Sequence, residues 1–245
     1  MFSQLLTNPL VLTTGLLAIT ATWATGCSGF PFAVQQGSGT AETLTIEGES
    51  FTRLDISHAV EVDVTIADGP AEASFTLDDN FIDDAIFEVV DGELRISMED
   101  GMYDTTVGLR AEVTMASLEA LDVTGASDVT VEGLAADDLD LDVTGASEVR
   151  IDGTAQAITA RVSGASDVDL DALAVEEADL DVSGASDLDI ASVGTATVDV
   201  SGAADLTIDA AGTVDGDASG ASTLRIPDDA VGQISTSGAA SLETS

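Results

Sequence analysis

Two side chains in this sequence are rare enough to carry specific chemistry, and its carboxylates are abundant. The chain has 245 residues, with one His (His58), one Cys (Cys27), and 46 Asp and Glu against six Arg and no Lys. A His can act as a general base, a Cys can be a nucleophile or an attachment point, and paired carboxylates can cleave glycosidic bonds. The surroundings of each residue decide among these roles.

Cys27 follows a leader that resembles an export signal. Residues 1–41 contain no charged side chain, and residues 10–23 form an apolar, Thr-rich run that is too short for a membrane span. The segment Ala24-Thr25-Gly26-Cys27 resembles a lipoprotein signal, in which cleavage precedes the Cys and the Cys carries lipid. We therefore predict an export signal over 1–26, lipidation of Cys27, and a tether over 27–41.

The protein is then held on a membrane at the cell surface or in the periplasm. A spare thiol in the leader of a secreted protein is the alternative. With only one Cys, no internal disulfide can form, so rigidity must come from packing and backbone pairing.

A repeat of 18 to 20 residues fills the second half of the chain. Each copy reads apolar, Asp, apolar, Thr or Ser, Gly, Ala, Ser or Ala, acidic, apolar, with some substitutions. Its glycines are Gly125, Gly145, Gly164, Gly184, Gly202, Gly220 and Gly238. Alternating apolar and polar residues indicate strands with one buried face, and Gly suits the turn between them. The pattern predicts an all-β fold, a right-handed parallel β-helix with one repeat per coil.

Stacking places equivalent residues in columns. The apolar positions four and two residues before each Gly, and four and six residues after it, are predicted to form the core, from Leu121 and Val123 through to Leu242. One outward column carries hydroxyls, from Thr124 to Ser237. Another is a ladder of carboxylates, which we call the acidic ladder: Asp128, Glu148, Asp167, Asp187 and Asp205. Arg161 is predicted to lie between Asp142 and Asp181 and to relieve their repulsion.

The net charge of −40 excludes some partners and indicates a habitat. Such a chain repels nucleic acid and anionic lipid head groups. Ladders of like charge cost about 1 kcal/mol per neighbouring pair in water and less in salt. The absence of Lys resembles proteins of salt-loving microbes. An acidic surface protein that binds divalent cations loosely is the alternative, and no dedicated metal or cofactor site is predicted.

The upstream half, residues 42–118, follows the same pattern less regularly. Residues 54–64 align with residues 121–131 without a gap, and His58 takes the place of the turn Gly. His tolerates the left-handed backbone region better than most residues, so His58 is predicted to be a turn residue and not a catalytic base. Several Phe residues predict a wider, aromatic, membrane-proximal end here.

The order of these motifs resembles the head GIN domain of putative auto-transporter adhesins. The resemblance covers residues 42–245, which we assign to a single domain with irregular coils over 42–118 and Gly-Ala-Ser repeats over 119–245. It is carried by Gly92-x-Leu94-x-Ile96 followed by Leu118-x-x-Leu121-x-Val123-x-Gly125-Ala126-Ser127. The resemblance implies a β-helical surface domain with an adhesive role, and it brings no catalytic residues.

Three functions therefore stand at this stage. The first is a lipid-anchored surface protein that binds a glycan or protein in adhesion or envelope contacts. The second is a structural or stress-related envelope protein without a ligand. The third is a polysaccharide-acting enzyme, which is disfavoured because no carboxylate pair stands out and the coils leave no room for groove-shaping loops.

Overall fold

The computed structural model describes residues 34–244, which are almost wholly β-strand. The predicted export signal and Cys27 lie outside the described residues. The strands are β1 (Val34–Gln36), β2 (Ala41–Glu47), β3 (Arg53–Ile56), β4 (Glu61–Ile66), β5 (Glu72–Asp78), β6 (Ala85–Val90), β7 (Glu93–Met98), β8 (Met102–Asp104), β9 (Arg110–Met115), β10 (Ala120–Val123), β11 (Asp128–Val143), β12 (Glu148–Val162), β13 (Asp167–Val182), β14 (Asp187–Val200), β15 (Asp205–Ala218), β16 (Thr223–Ile226), β17 (Ile234–Thr236) and β18 (Ser241–Thr244). A short 3-10 helix, Asp79–Asp84, follows β5.

The repeats stack into a parallel β-solenoid with three strand faces per coil. Face A precedes the Gly turn, face B follows it, and face C leads back to face A of the next coil. On face B, Asp128 pairs with Glu148, which is 20 residues later, and Asp187 pairs with Asp205, which is 18 residues later. The predicted parallel β-helix and its coil length are confirmed.

Differences in coil length are absorbed at the corner between faces B and C. The register shifts there between β11 and β12, β12 and β13, and β13 and β14, whereas β14 and β15 pair without a shift. A β-bulge accommodates extra residues in one strand while the pairs on either side keep their alignment. The Gly turns on the other side of the coil therefore stay in one column.

The order of the coils in the stack differs from their order in the chain. β3 and β4 pair on one side with β10 and β11, which begin the regular repeats. On the other side they pair with β7 and β9, which come later in the chain than β3 and β4. Residues 93–115 therefore form the coil beyond residues 53–66. The predicted alignment is confirmed, with Leu54 opposite Leu121 and Val62 opposite Val129.

Antiparallel strands cover the end of the solenoid formed by β7 and β9, which we call the capped end. β6 pairs antiparallel with β7, β5 with β9, and β2 with β5. These strands pair with the outer edges of β7 and β9, so that among the described residues β2 and β6 become the strands with a partner on one side only. Phe51, Phe75 and Phe81 are buried near this end, in agreement with the predicted aromatic portion.

The turn column needs glycine for two physical reasons. Gly125 has a φ of 88°, and the other turn glycines also have positive φ. A Cβ on Gly125 would lie 2.3 Å from the carbonyl oxygen of His58, and one on Gly145 would lie 2.2 Å from that of Gly125. His58 takes φ 75° at the first position of this column, with its side chain over Ser97. The prediction that His58 is a turn residue is confirmed.

The four predicted apolar columns form one continuous core, with one exception. Val123, Val143, Val149 and Val168 are fully buried, as are their equivalents in most coils. Leu242, which was predicted to belong to the core, is 40% exposed. It lies in β18, and among the described residues no strand pairs with the far side of β18.

Candidate binding surfaces

The Gly turn presents one column of hydroxyls outward and buries another. The outward column is exposed or half-buried and consists of Thr124, Thr144, Ser163, Ser183, Ser201, Ser219 and Ser237. The Ser two residues after the Gly is buried in five copies, and its hydroxyl can close the turn. Ser166 Oγ donates to Ser163 O at 3.0 Å, and Ser222 Oγ donates to Ser219 O at 2.8 Å. The recurrence of Ser at this position was the sequence signal for this hydrogen bond, which sequence reasoning missed.

The acidic ladder runs along face B on the outside of the solenoid, as predicted. Neighbouring coils are about 4.8 Å apart, so each carboxylate has another one close by. Partial burial and then the neighbouring Glu148 raise the pKa of Asp128, and the same two causes act on Asp167. Burial and then Asp205 raise the pKa of Asp187. The ladder therefore disfavours its own full ionisation.

A second acidic column follows face A. Burial, followed by Asp142 and Asp55, raises the pKa of Asp122. Arg161 lies between Asp142 and Asp181 in the strand register, as predicted, but its ion pair is with Asp140 at 3.2 Å. The arginines interrupt the acidic columns without neutralising them.

An open cleft of about 380 Å³ adjoins the first turn of the stack. Its walls include Met98, Tyr103 and Leu109, and the backbone of Gly125 contributes to its lining. His58 also lines the cleft, and its Nδ1 lies 3.0 Å from Ser97 Oγ. The hydroxyls of Ser57 and Ser97 are 2.5 Å apart. These contacts orient the imidazole, but within the described residues no carboxylate completes a catalytic arrangement with it.

Asp78 fastens the segment before β2 to the solenoid. Its carboxylate is fully buried and accepts hydrogen bonds from the backbone N–H groups of Gly39 at 2.7 Å, Thr106 at 2.9 Å and Val107 at 3.1 Å. Burial alone would raise the pKa of Asp78, but these three hydrogen bonds outweigh it and lower the pKa. Residues 34–36 also pair with β8. The last residues of the predicted 27–41 tether are therefore joined to the domain.

A known family matches most of the chain. Residues 50–230 match the family model described as "Putative auto-transporter adhesin, head GIN domain". The chain belongs to this family. The GIN match includes the irregular coils as well as the regular repeats, so the resemblance seen in the sequence is confirmed. A search of curated protein sequences found no match.

Solved structures share the fold of this GIN domain at low sequence identity. A "Putative lipid binding protein" from Parabacteroides distasonis has a TM-score of 0.70 and 16% identity, over 87% of this chain and 100% of that one. A "putative adhesin" from the same organism has a TM-score of 0.68 and 15% identity, and the match covers 86% of this chain and 96% of that one. A "putative adhesin" from Parabacteroides merdae has a TM-score of 0.66 and 15% identity, and the match covers 86% of this chain and 98% of that one.

Two further observations concern the described part of this GIN domain. Within residues 34–244, no three His, Cys, Asp or Glu side chains are grouped so that they would hold a metal ion. The same residues include no helix with the length and apolar character needed to cross a membrane. Loose cation binding by the acidic ladder stays a prediction.

Proposed function

We propose that this GIN domain is a non-catalytic binding module that is exported, held at the cell surface through lipidated Cys27, and used in adhesion or envelope contacts. The observation that carries the proposal is the regularity of its outward surface. Hydroxyl side chains recur once per coil and the acidic ladder runs over five successive coils, about every 4.8 Å, on a solenoid whose coils are locked together by backbone pairing. A partner with its own repeat, such as a surface glycan or protein array, meets the same groups many times, and such contacts add in avidity.

A catalytic role has less support. The carboxylates with raised pKa are spread over faces A and B and over several coils, so no two of them are set apart as an acid and base pair. The family and its solved neighbours are described as a "putative adhesin" or a "Putative lipid binding protein", and none of these descriptions names an enzyme. A structural or stress-related envelope protein without a ligand is the remaining alternative.

A binding screen tests the proposal. Purified protein carrying Cys27→Ser is applied to a glycan panel and to whole cells, at both low and high salt. We expect retention on at least one surface. Failure to bind any surface with a normal circular dichroism spectrum would leave the structural role, and release of reducing sugar from a glycan would revive the enzyme.

The anchor is tested separately by fractionation of the expressing cells. The wild-type chain is expected in the membrane fraction, and Cys27→Ser is expected to be soluble after export. A Cys27→Ser protein that stays with the membranes would show that lipidation is not the anchor.

A further inference from the structure

The column of turns is interrupted where the regular coils meet the irregular ones, and an open cleft lies at the interruption. The turn of Gly125 stacks directly on that of His58. The coil beyond His58 makes no such turn. It pairs with the stack through Ile96 and again at Leu109, and between these points β8 pairs with β1 instead. Residues 98–109 and the turns of His58 and Gly125 line the cleft of about 380 Å³, which we call the His58 cleft.

The lining of the His58 cleft is unusual for so acidic a chain. Four other clefts on the described residues, of about 190 to 480 Å³, each have at least one Asp or Glu in their lining. The His58 cleft is lined by no Asp, Glu or Arg among those residues. The only His and the only Tyr of the chain, His58 and Tyr103, line it instead. Met98 and Leu109 supply apolar walls, and Thr105 adds a side chain that bears a hydroxyl.

The imidazole and the phenol ring are both held in place by the fold. His58 Nδ1 is hydrogen-bonded to Ser97 Oγ at 3.0 Å. Within residues 34–244 the hydrogen bonds of this ring involve Nδ1 alone, so Nε2 is left to meet a ligand. The ring of Tyr103 meets that of the buried Phe81 edge-on at 5.1 Å, and its hydroxyl donates to Glu99 O at 3.1 Å. Groups that are already oriented lose less entropy when a ligand binds.

The backbone at His58 carries a cost that the turn itself does not require. His58 has a φ of 75°, and Asp91 is the other non-Gly residue with a positive φ among those described. The seven later copies of the turn have Gly, which takes this conformation without strain. Strained residues cluster at binding and active sites, where the side chain has a use that offsets the strain. A use for the imidazole in the His58 cleft accounts for a His where Gly would be easier.

We propose that the His58 cleft binds one neutral sugar residue of a surface glycan, with a sugar hydroxyl hydrogen-bonded to His58 Nε2. The cleft is open on one side, so a bound ligand keeps one face in water. A pyranose ring suits this arrangement, because its C–H groups can pack on Met98, Leu109 and Tyr103. Its hydroxyls then face His58, Thr105 and water. An aliphatic chain would leave much of its apolar surface exposed and would gain no polar partner.

Charge selects against anionic ligands in the His58 cleft. Burial raises the pKa of Tyr103, and the charges of Asp84, Glu99 and Asp100 raise it further. An acidic sugar would meet the field of these carboxylates without a cationic side chain in the lining to pair with. The inference rests on the proposed adhesive function, and it gives each chain one sugar site that is separate from the repeated columns.

NMR titration tests the site, because a chain with one His gives one set of imidazole signals. The full chain with Cys27→Ser, without a polyhistidine tag, is titrated with the methyl glycosides of glucose, galactose, mannose and N-acetylglucosamine. Glucuronate and hexanol serve as the anionic and the apolar probe. We expect at least one glycoside to shift the His58 signals with a Kd of about 0.1–10 mM, and glucuronate to bind at least about tenfold more weakly.

His58→Gly separates a role in binding from a role in the turn. Gly relaxes the left-handed backbone and removes the imidazole, so the melting temperature should change little. Saturation transfer to the glycoside protons should show an affinity at least about tenfold lower than that of wild type. Asp91→Gly makes the same relaxation at the other left-handed residue, which does not line the cleft, and it should bind as wild type does.

Several results would overturn the proposal. They are the absence of any imidazole shift with all four glycosides at about 50 mM, wild-type affinity in His58→Gly, and lost affinity in Asp91→Gly. A shift produced by hexanol and by no glycoside, or glucuronate that binds as tightly as the best glycoside, would do the same.

Adhesion assays separate this inference from the proposed function. If His58→Gly is retained on glycan-coated surfaces and cells as well as wild type, the His58 cleft is not the sugar site and the adhesive function stands. If glycosides bind the His58 cleft but the wild-type chain is retained on no surface, the sugar site stands and the adhesive function fails.

Discussion

The turn column offers the sharpest test of how the repeat builds the solenoid. Gly164 has a φ of 89°, and a Cβ there would lie 2.4 Å from the carbonyl oxygen of Gly145. The same carbonyl accepts a hydrogen bond from Ala165 N at 2.8 Å, so a displacement that relieves the clash also strains the bond between two coils. Gly164→Ala therefore combines two penalties, an unfavourable backbone conformation and a backbone clash.

Two control variants separate these penalties. Gly92 has a positive φ of 78° in the turn between β6 and β7, but a Cβ there would meet no atom within 4 Å. Gly194 has no positive φ, but a Cβ there would lie 2.6 Å from the carbonyl oxygen of Glu176. Gly92→Ala thus reports the cost of the conformation alone, and Gly194→Ala that of the close approach alone.

The expected losses in the free energy of unfolding follow from these differences. The left-handed conformation costs a non-Gly residue about 1–2 kcal/mol, and Ala recovers about 0.4–1 kcal/mol by restricting the unfolded chain. Overpacking costs about 1–3 kcal/mol. We expect about 0.5–1 kcal/mol for Gly92→Ala, about 1–2 kcal/mol for Gly194→Ala, and about 3 kcal/mol for Gly164→Ala.

Urea unfolding followed by circular dichroism measures all three variants against wild type, provided that the transitions stay cooperative. Equal, small losses for Gly164→Ala and Gly92→Ala would refute the claim that close backbone approach imposes the Gly column.

Other expectations concern pH, salt and the buried turn hydroxyl. Raised pKa values at Asp122, Asp128 and Asp187 mean that the folded state binds the extra protons, so the melting temperature should rise as pH falls from 7 toward about 4, and Asp187→Asn should flatten this rise. For Asp78 the expected pH dependence of the melting temperature has the opposite sign. Its pKa is lowered, so its stabilisation is lost as pH falls through that lower value, and Asp78→Asn should lower the melting temperature at pH 7 and remove amide protection at Gly39, Thr106 and Val107. The melting temperature should also climb steadily between 0.05 and 1 M NaCl, about the range over which the Debye length shrinks below the coil spacing, and a flat response would contradict repulsion within the ladders. Ser166→Ala should lower the free energy of unfolding, measured in urea, by about 1 kcal/mol because it removes the hydrogen bond to Ser163 O. Ala204 occupies the equivalent buried position in another copy, so Ala204→Ser is the reciprocal control.

The regular repeats were predictable from the sequence because their period is enforced by contact. Each turn Gly lies against the carbonyl of the turn residue before it, which is His58 for Gly125 and a Gly for the others. Each apolar residue lies against its equivalent in the next coil, so a change in one coil affects its neighbours. The same logic identified His58 as a turn residue from alignment alone. The outward direction of the acidic ladder followed from simple strand alternation.

The irregular parts were not predictable in this way. Residues 67–119 contain no copy of the repeat, so nothing in the pattern indicated that β7 and β9 stack beyond β3 and β4. Asp78 is one of 46 acidic residues, and only its burial among three backbone N–H groups sets it apart. Leu242 continues an apolar column in the sequence, but a column position is buried only when a coil covers it on both sides.

The most direct test of the adhesive role is a count of cells attached to a surface. Cells that display the wild-type chain are compared with cells that display none, on bare glass, on glycan-coated glass and on a layer of cells that display the same chain, in the growth medium and at its salt concentration. Displaying cells are predicted to attach in excess on at least one coated surface. Equal attachment of displaying and non-displaying cells on every surface, with the chain verified at the cell exterior, would contradict the adhesive role.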